Sequence, residues 1–315
     1  MMNLREAAAS GGQVADEFAD VRFEQVFSDS RSVAPRGLFI ALDGERFDGH
    51  DFVKDVLAAG AAAAMVSAKW AAQHGSGLPL LVVEDTRLGL GRLAAAWRRR
   101  FDLPVIGVTG SNGKTTVKEM CASILRAHYG EDAVLATAGN LNNDIGLPLT
   151  LLRLRSHHRA AVIEIGMNHP GETAELAAIA APTVGLINNA QREHQEFMKT
   201  VAAVAEEHAA LLAALPPDGI AVINADDEYA DVWRRAAAGR PLLGFGIDGA
   251  CEVHGRFYER GLGGRLDIAT PLGTVVSALE LPGRHNARNA CAAVAATQAA
   301  GAALESAERG LSSFG

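Results

Sequence analysis

"GVTGSNGKTTVKEM", residues 107–120, sets glycines, Lys114, Thr115 and Thr116 between an apolar run and a helical pattern, and its reading decides the fold. The preceding run, "DLPVIGV", is short and rich in Val and Ile. Beyond the glycines, Val117, Met120, Cys121, Ile124 and Leu125 recur at spacings of three and four, which puts one apolar face on a helix. Strand, glycine loop, helix is the order of a phosphate-binding loop. Gly107, Gly110 and Gly113 are expected to let the backbone turn sharply, so that N–H groups at the helix start surround phosphate oxygens. Lys114 would place its ammonium on the outer phosphates, and the Thr115 hydroxyl would reach a magnesium ion. The spacing departs from the common G-x-x-x-x-G-K-[ST] form because position 108 is Val. A shorter version remains, running through Gly110, Ser111, Asn112, Gly113, Lys114, Thr115 and Thr116. A glycine-rich turn that only caps a helix is the alternative.

Working outward, "VIGVT", "AAVIEIG", "TVGLINN" and "GIAVIN" are short and apolar on both faces, as in a parallel sheet covered by helices. After residue 250, "CEVHGRFYER", "GGRLDIAT" and "GTVVSALE" alternate at period two and predict a β-meander or hairpin pair. "RHNARNACAAVAATQAAGA" and one further stretch close the chain as helices. Upstream, "GLFIAL" and "LPLLVVED" read as strands, "DFVKDVLAAGAAAAMV" as helix then strand, and "TRLGLGRLAAAWRRRF" as a helix whose late basic residues suit its carboxyl end. The rhythm changes at Pro104, so the expected domains are 1–103 and 104–315. The fold class is α/β: a small N-terminal α/β domain, then a P-loop NTPase-type central domain with a mostly parallel sheet and a small antiparallel β extension.

At 315 residues the chain is long enough for more than one core. Its net charge of −8 argues against a general nucleic-acid or membrane-surface binder, which needs a basic field. A local phosphate site stays open. Cys121, Cys251 and Cys291 are odd in number and far apart, which fits buried thiols in a reducing compartment better than disulfides or a metal cluster. The amino terminus lacks a charged stretch followed by an apolar core, and no run of ~18 apolar residues could span a bilayer. A cytoplasmic location and a monomer are expected.

Several residues stand out in their own right. Glu164 ends an apolar strand, where a carboxylate is costly to bury unless it meets a cation; Mg²⁺ is the natural candidate, and an exposed strand end the alternative. Asn140, Asn142, Asn143 and Asp144 crowd one loop, suiting a turn as readily as a ligand site. His194 follows a strand and could bind metal, act as acid or base, or cap a helix. Asn286 and Asn289 lie three apart at a helix start, so both amides can point the same way, toward an adenine edge or as ordinary caps. In the first domain Ser28, Asp29, Ser30, Arg31, Gly44, Asp48 and His50 form a polar set between strands, which a solvated loop would also explain.

The shortened loop resembles that of the Mur ligases, ATP-dependent enzymes that build the peptide of bacterial cell-wall precursors. "TAGNLNNDIGLPLTLL" (137–152), "AVIEIGMNHPGE" (161–172) and "LPGRHNARNACAA" (281–293) are similar to blocks of the branch that adds D-alanyl-D-alanine. "SDSRSVAPRGLFIALDGERFDGHDF" (28–52) is similar to that branch's UDP-substrate domain. The resemblance spans nearly the whole chain and speaks against a folylpolyglutamate synthetase or the ligase adding the third amino acid. It implies that residues 110–116 hold ATP, that Lys114, Glu164 and His194 are catalytic, and that Thr115, Glu164 and His194 bind Mg²⁺. It implies an adenine pocket of His285, Asn286 and Asn289, a substrate-touching loop at 140–144, and UDP contacts in the 28–50 set. The implied partners are UDP-N-acetylmuramoyl-tripeptide and D-alanyl-D-alanine, joined through an acyl phosphate.

Two departures follow from the resemblance. Many relatives carry a carbamylated lysine fourteen or fifteen residues beyond the histidine matching His194, where this chain has Glu206, Glu207 and His208; Glu207 or His208 is expected to supply the ligand instead, Lys199 being too near. Relatives also continue past Phe314 into a third domain that clamps ATP and binds the incoming amine. The 315-residue chain is therefore expected to bind the UDP-substrate, and ATP weakly, while ligating little; a noncatalytic nucleotide-binding module is the alternative.

Overall fold

Short Val- and Ile-rich runs form strands because a β-branched side chain packs well on a pleated surface, and runs apolar on both faces need cover on both sides. The computed structural model describes every residue but 45, 46, 76, 194, 262 and 315, and every remaining side chain but those of Gln195 and Glu196. The chain forms two units, Met1–Arg100 with Asp144–Arg153, and Phe101–Asn143 with Leu154–Gly315.

In the first unit, β1 (Met2–Asn3) and β2 (Arg22–Phe23) pair antiparallel. β3 (Gln25–Phe27), β4 (Gly37–Ile40), β5 (Ala63–Ser67) and β6 (Leu80–Val83) form a parallel sheet in that order among the described residues. Phe39, Val53, Val56, Ala64 and Val66 make its core. The helix Thr86–Arg98 starts where the Asp85 carboxylate accepts the Leu88 N–H, and it buries Leu90, Leu93, Ala94 and Trp97. Residues 144–153, inside the second range read from sequence, pack in this unit. The short helix Gly146–Leu151 lies against Thr86–Arg98, with Leu147 and Leu151 fully buried, and Arg87 pairs with Asp144 at 3.0 Å. Their i, i+4 spacing marks one apolar face but does not say which core receives it.

In the second unit the strands are β7 (Val105–Thr109), β8 (Val134–Ala136), β9 (Ala160–Glu164), β10 (Val184–Ile187), β11 (Ile220–Asn224), β12 (Leu242–Gly246), β13 (Val253–Arg260), β14 (Gly263–Thr270) and β15 (Gly273–Leu279). Among the described residues they make one nine-stranded sheet, ordered β15-β14-β13-β12-β11-β10-β7-β9-β8. Pairing is parallel from β8 to β13, and the period-two strands β13 to β15 form the expected antiparallel meander at its end. The helix Lys114–Tyr129 covers one face together with Arg284–Ala299 and Leu304–Ser312. It buries Val117, Met120, Cys121, Ile124 and Leu125 completely, a contribution of about 2 kcal/mol for each large apolar side chain. Val201–Ala213 and Ala230–Ala237 cover the other face, where the buried Trp233 donates its indole N–H to the Ala205 carbonyl at 3.0 Å.

All three cysteines are free thiols. Burial pushes the half-buried Cys251 up to about 11, with the Asp226 and Glu252 carboxylates adding to it. Among the described residues, no helix is long and apolar enough to cross a membrane. From β7 the chain runs out to β8 at the sheet edge, returns to β9 beside β7, then crosses to β10 on the other side. Loops leaving the carboxyl ends on either side of that reversal diverge and open a crevice, the usual ligand position in such sheets.

Candidate functional site

The glycine loop leaves β7 at this crevice. Gly110 (φ 135) and Gly113 (φ 77) adopt left-handed backbone that L side chains rarely tolerate. Gly107, expected to help the turn, lies inside β7 instead. A Cβ there would come within 3.1 Å of Leu211 and 3.3 Å of Ile165 and Pro182, so its missing side chain allows close packing. Among the described residues, no side chain caps the helix start at Gly113, which leaves first-turn N–H groups for a ligand.

The turn after β10 braces this loop. Asn189 accepts the Asn112 N–H at 2.9 Å and donates to the Asn112 carbonyl at 2.9 Å, and its own carbonyl accepts the Ser111 N–H at 3.0 Å. The Asn188 amide donates to the Asn112 carbonyl at 2.8 Å and to Asn289 Oδ1 at 3.0 Å. A Cβ on Gly113 would strike these same amides, 2.8 Å from Asn188 Nδ2 and 2.9 Å from Asn289 Oδ1. Asn188 and Asn189 were not singled out in the sequence, although two asparagines directly after an apolar strand were the available signal. Asn188 Oδ1 is buried with no hydrogen-bond partner among the described residues.

Asn188 lines a cavity of about 420 Å³ together with Asn112, Gly113, Asn224, Asp226, Asp227, His285, Arg288 and Asn289. That size falls within the roughly 300–1,000 Å³ of small-molecule pockets. The fold thus brings the glycine loop, His285 and Asn289 to one hollow. Asn286 is placed differently: its amide turns back to the Pro282 carbonyl at 2.9 Å, and its Oδ1 accepts from Asn289 at 3.3 Å.

Asp226 is the anchor of the outer wall, accepting the N–H groups of Ile247, Asp248 and Gly249 at 2.7, 3.2 and 2.9 Å and Arg288 Nε at 3.3 Å. Burial alone would raise its pKa, but these donors outweigh it and hold the carboxyl below the ordinary 3.8. A depressed carboxyl stabilises the fold fully above its unfolded value, and that contribution is lost as pH falls through the folded one. Asp226→Asn is therefore expected to lower the urea midpoint at pH 7 and to flatten its fall below about pH 4; parallel acid limbs in the two proteins would count against this.

Lys114 reaches back to the carbonyls of Gly110 and of Ser111, the latter at 3.2 Å, and lies 3.7 Å from Glu193. Glu193 accepts the Ser111 hydroxyl at 2.8 Å and contacts His208 Nε2 at 3.0 Å, while Nδ1 of the same ring meets the Thr109 hydroxyl at 3.0 Å. A carboxylate only accepts, so Nε2 carries the proton, and in the neutral ring Nδ1 accepts from Thr109. Burial works to raise the Glu193 pKa; the His208 bond and the Lys114 charge more than offset it and keep the carboxyl ionised below its usual value. Both ring nitrogens of His208 are thus occupied by protein. Glu207 is occupied too, capping the helix Glu172–Ala180 by accepting the Gly171 and Thr173 N–H groups, each at 2.9 Å. His194 lies outside the described residues.

Glu164 pairs in register with Val108, which brings it beside the loop. It is 2% exposed, so the exposed strand end does not occur. The Thr115 hydroxyl donates to Oε2 at 3.1 Å, the Asn142 amide to Oε1 at 2.8 Å, and the Glu164 N–H goes to the Thr137 hydroxyl at 3.0 Å. Of the polar loop residues, Asn142 is placed here; Asn140 and Asn143 are exposed, and Asp144 pairs with Arg87. Thr115 and Glu164 are hard oxygen donors of the kind Mg²⁺ selects. Among the described residues, no group of three or more His, Cys, Asp or Glu is arranged to hold a metal. An ion here would complete its shell with phosphate oxygens and water, as Mg²⁺ commonly does.

In the first unit the polar set divides into two local arrangements. Arg31 grips Asp29 through two bonds of 2.9 Å, which pulls that exposed carboxyl down to about 2. Asp48 accepts both the His50 N–H at 2.9 Å and Nδ1 at 2.6 Å, while Nε2 accepts the Ser67 N–H at 2.9 Å, which settles the tautomer of this buried ring. Gly44 donates its N–H to Phe47 at 3.1 Å, and Ser28 and Ser30 are half-buried.

Known proteins are similar to this chain in sequence and in fold. The family model described as "Mur ligase middle domain" matches residues 108–297, and "Mur ligase family, catalytic domain" matches residues 22–98. The UDP-N-acetylmuramoyl-tripeptide--D-alanyl-D-alanine ligase of Escherichia coli (strain K12) is 41% identical over 298 residues, covering 94% of this chain and 64% of that protein. A crystal structure of MurF from Acinetobacter baumannii matches with a TM-score of 0.91 at 34% identity, covering 100% of this chain and 68% of that one. MurF ligase from Thermotoga maritima in complex with ADP matches with a TM-score of 0.79 at 27% identity, covering 93% of this chain and 66% of that one. The chain spans 64% of the length of the curated E. coli relative. With the glycine loop, the buried Glu164 and the two-unit match from residue 22 to 297, the chain belongs to the Mur ligase family.

Proposed function

We propose that this chain carries the ATP-binding and UDP-substrate-binding parts of a ligase that joins D-alanyl-D-alanine to UDP-N-acetylmuramoyl-tripeptide during peptidoglycan precursor synthesis in the cytoplasm. The observation that carries this reading is the Gly110–Thr116 loop with Thr115 on Glu164 at 3.1 Å, in a chain 41% identical to the E. coli enzyme of that name. The terminal carboxylate of the tripeptide attacks the γ-phosphorus of ATP, giving an acyl phosphate and ADP. The amine of D-alanyl-D-alanine then attacks the acyl carbon, forms the amide and expels phosphate.

The physical difficulty is bringing a carboxylate to a polyphosphate, both anionic. Lys114 leaves the loop carbonyls for the phosphate oxygens, and the first-turn N–H groups add fixed dipoles, so that positioning and electrostatics carry the reaction. Thr115 and Glu164 would hold a magnesium ion, which supplies charge neutralisation at the phosphate oxygens. His285 and Asn289, which line the cavity, would hold the adenine, and Asn142, bonded to Glu164, would carry the contact with the muramoyl-peptide. Phosphate release, measured for this chain and for a chain extended to the length of the E. coli relative, tests the reading. The extended protein should release phosphate only when ATP, UDP-N-acetylmuramoyl-tripeptide and D-alanyl-D-alanine are all present; release that ignores either acceptor would overturn it.

A further inference from the structure

Lys118 is among the largest fully buried side chains of the molecule, with no exposed surface. A lysine in that position is expensive to desolvate, whereas its neighbours on the same helix, Val117, Met120 and Cys121, fill the same core without that cost. The ammonium donates to the Thr137 carbonyl at 2.7 Å and pairs with Glu119 at 2.7 Å. Thr137 ends the run from β8, and its hydroxyl accepts the Glu164 N–H at 3.0 Å. The loop that starts at Thr137 returns Asn142 to Glu164 Oε1 at 2.8 Å. Lys118 also sits three residues beyond Thr115, on the same side of the helix. One helix therefore grips the Glu164 centre twice, directly through Thr115 and indirectly through Lys118 and Thr137.

We propose that Lys118 is a positioning residue for the magnesium–phosphate centre: by clamping the Thr137 carbonyl it holds the Glu164 carboxylate and Asn142 in register with Thr115. A backbone carbonyl bound by a buried cation cannot drift, so the strand end and the loop stay at one distance from the helix. The proposal rests on the reading that Thr115 and Glu164 hold Mg²⁺. It does not place Lys118 in contact with nucleotide.

The test is calorimetric titration of the 315-residue chain with ADP, with and without magnesium chloride, in the wild type, Lys118→Met, Thr137→Val and Glu164→Gln, with thermal melts to confirm folding. Lys118→Met should cut the magnesium-dependent gain in affinity by about tenfold or more, in line with losses on removing outer ligand supports, and leave the magnesium-free affinity unchanged. Thr137→Val keeps the carbonyl for Lys118 but withdraws the hydroxyl from Glu164, and should show the same selective loss; it carries the test if Lys118→Met does not fold. A full magnesium gain in either variant, or an equal fall with and without magnesium, would overturn the role of Lys118. If the gain disappears in Glu164→Gln but persists in Lys118→Met, the metal reading stands and only the clamp falls. If the wild type shows no magnesium gain, both fall.

Discussion

Lys114→Ala, made in the chain extended to the length of the E. coli relative, is expected to lower phosphate release about a thousandfold, the scale seen when a preorganised group facing developing charge is removed. The side chain is largely sheltered, and its present partners are two loop carbonyls and the Glu193 carboxylate. Of these, Glu193 loses one of its two charge partners. It keeps the Ser111 hydroxyl and His208, so its local support is largely retained. The melting temperature should therefore stay near that of the wild type while turnover is lost. Lys114→Arg should recover little, because a planar five-donor fork does not reproduce a compact ammonium folded back over a tight loop. Turnover in Lys114→Ala close to wild type would refute the role given to this residue.

What could be read from the sequence was what is encoded locally. A strand apolar on both faces, glycines at 110 and 113 and a three-four apolar spacing from Val117 to Leu125 each specify a backbone state or a buried face within a few residues, and the structure contains all three. The period-two strands after residue 250 behave likewise. Partnership between distant segments was not legible. Leu147 and Leu151 mark an apolar face without naming the core it joins. Gly107 looked like a turn residue beside two others, and only the packing of Leu211, Ile165 and Pro182 shows why a side chain is excluded there. Asn188 and Glu193 were not read as site residues, and His208 was expected as a metal ligand, not as the partner of Glu193 and Thr109. They become a site because parallel pairing sets the end of β10 beside the end of β7, with Ile187 opposite Thr109. Glu164 was legible for the opposite reason: a carboxylate closing a strand that is otherwise apolar on both faces is costly on any fold that buries it.

His208→Leu carries the largest expected loss of stability, about 3 kcal/mol in the second unit. Leucine nearly fills the volume of the buried ring, so cavity formation contributes little. The loss comes from the Thr109 hydroxyl left without its partner and from the largely sheltered Glu193 carboxylate, whose Oε1 keeps only the Ser111 hydroxyl. Glu193 would retain Ser111 and draw more heavily on Lys114, its remaining charge partner, which should also weaken nucleotide binding. The sign with pH follows from the depressed carboxyl. In the wild type its contribution is complete above the unfolded value of 4.5 and is lost as pH falls through the lower folded value. The variant has less to lose, so the difference in denaturation midpoint between the two proteins should be greatest near pH 7 and narrow below about pH 4. His208→Gln, which keeps a donor of shorter reach, should fall between them. Urea midpoints of the three proteins at pH 7 and pH 4 decide the matter: a deficit in His208→Leu that is the same at both would assign His208 to packing and remove it from the electrostatics of the loop.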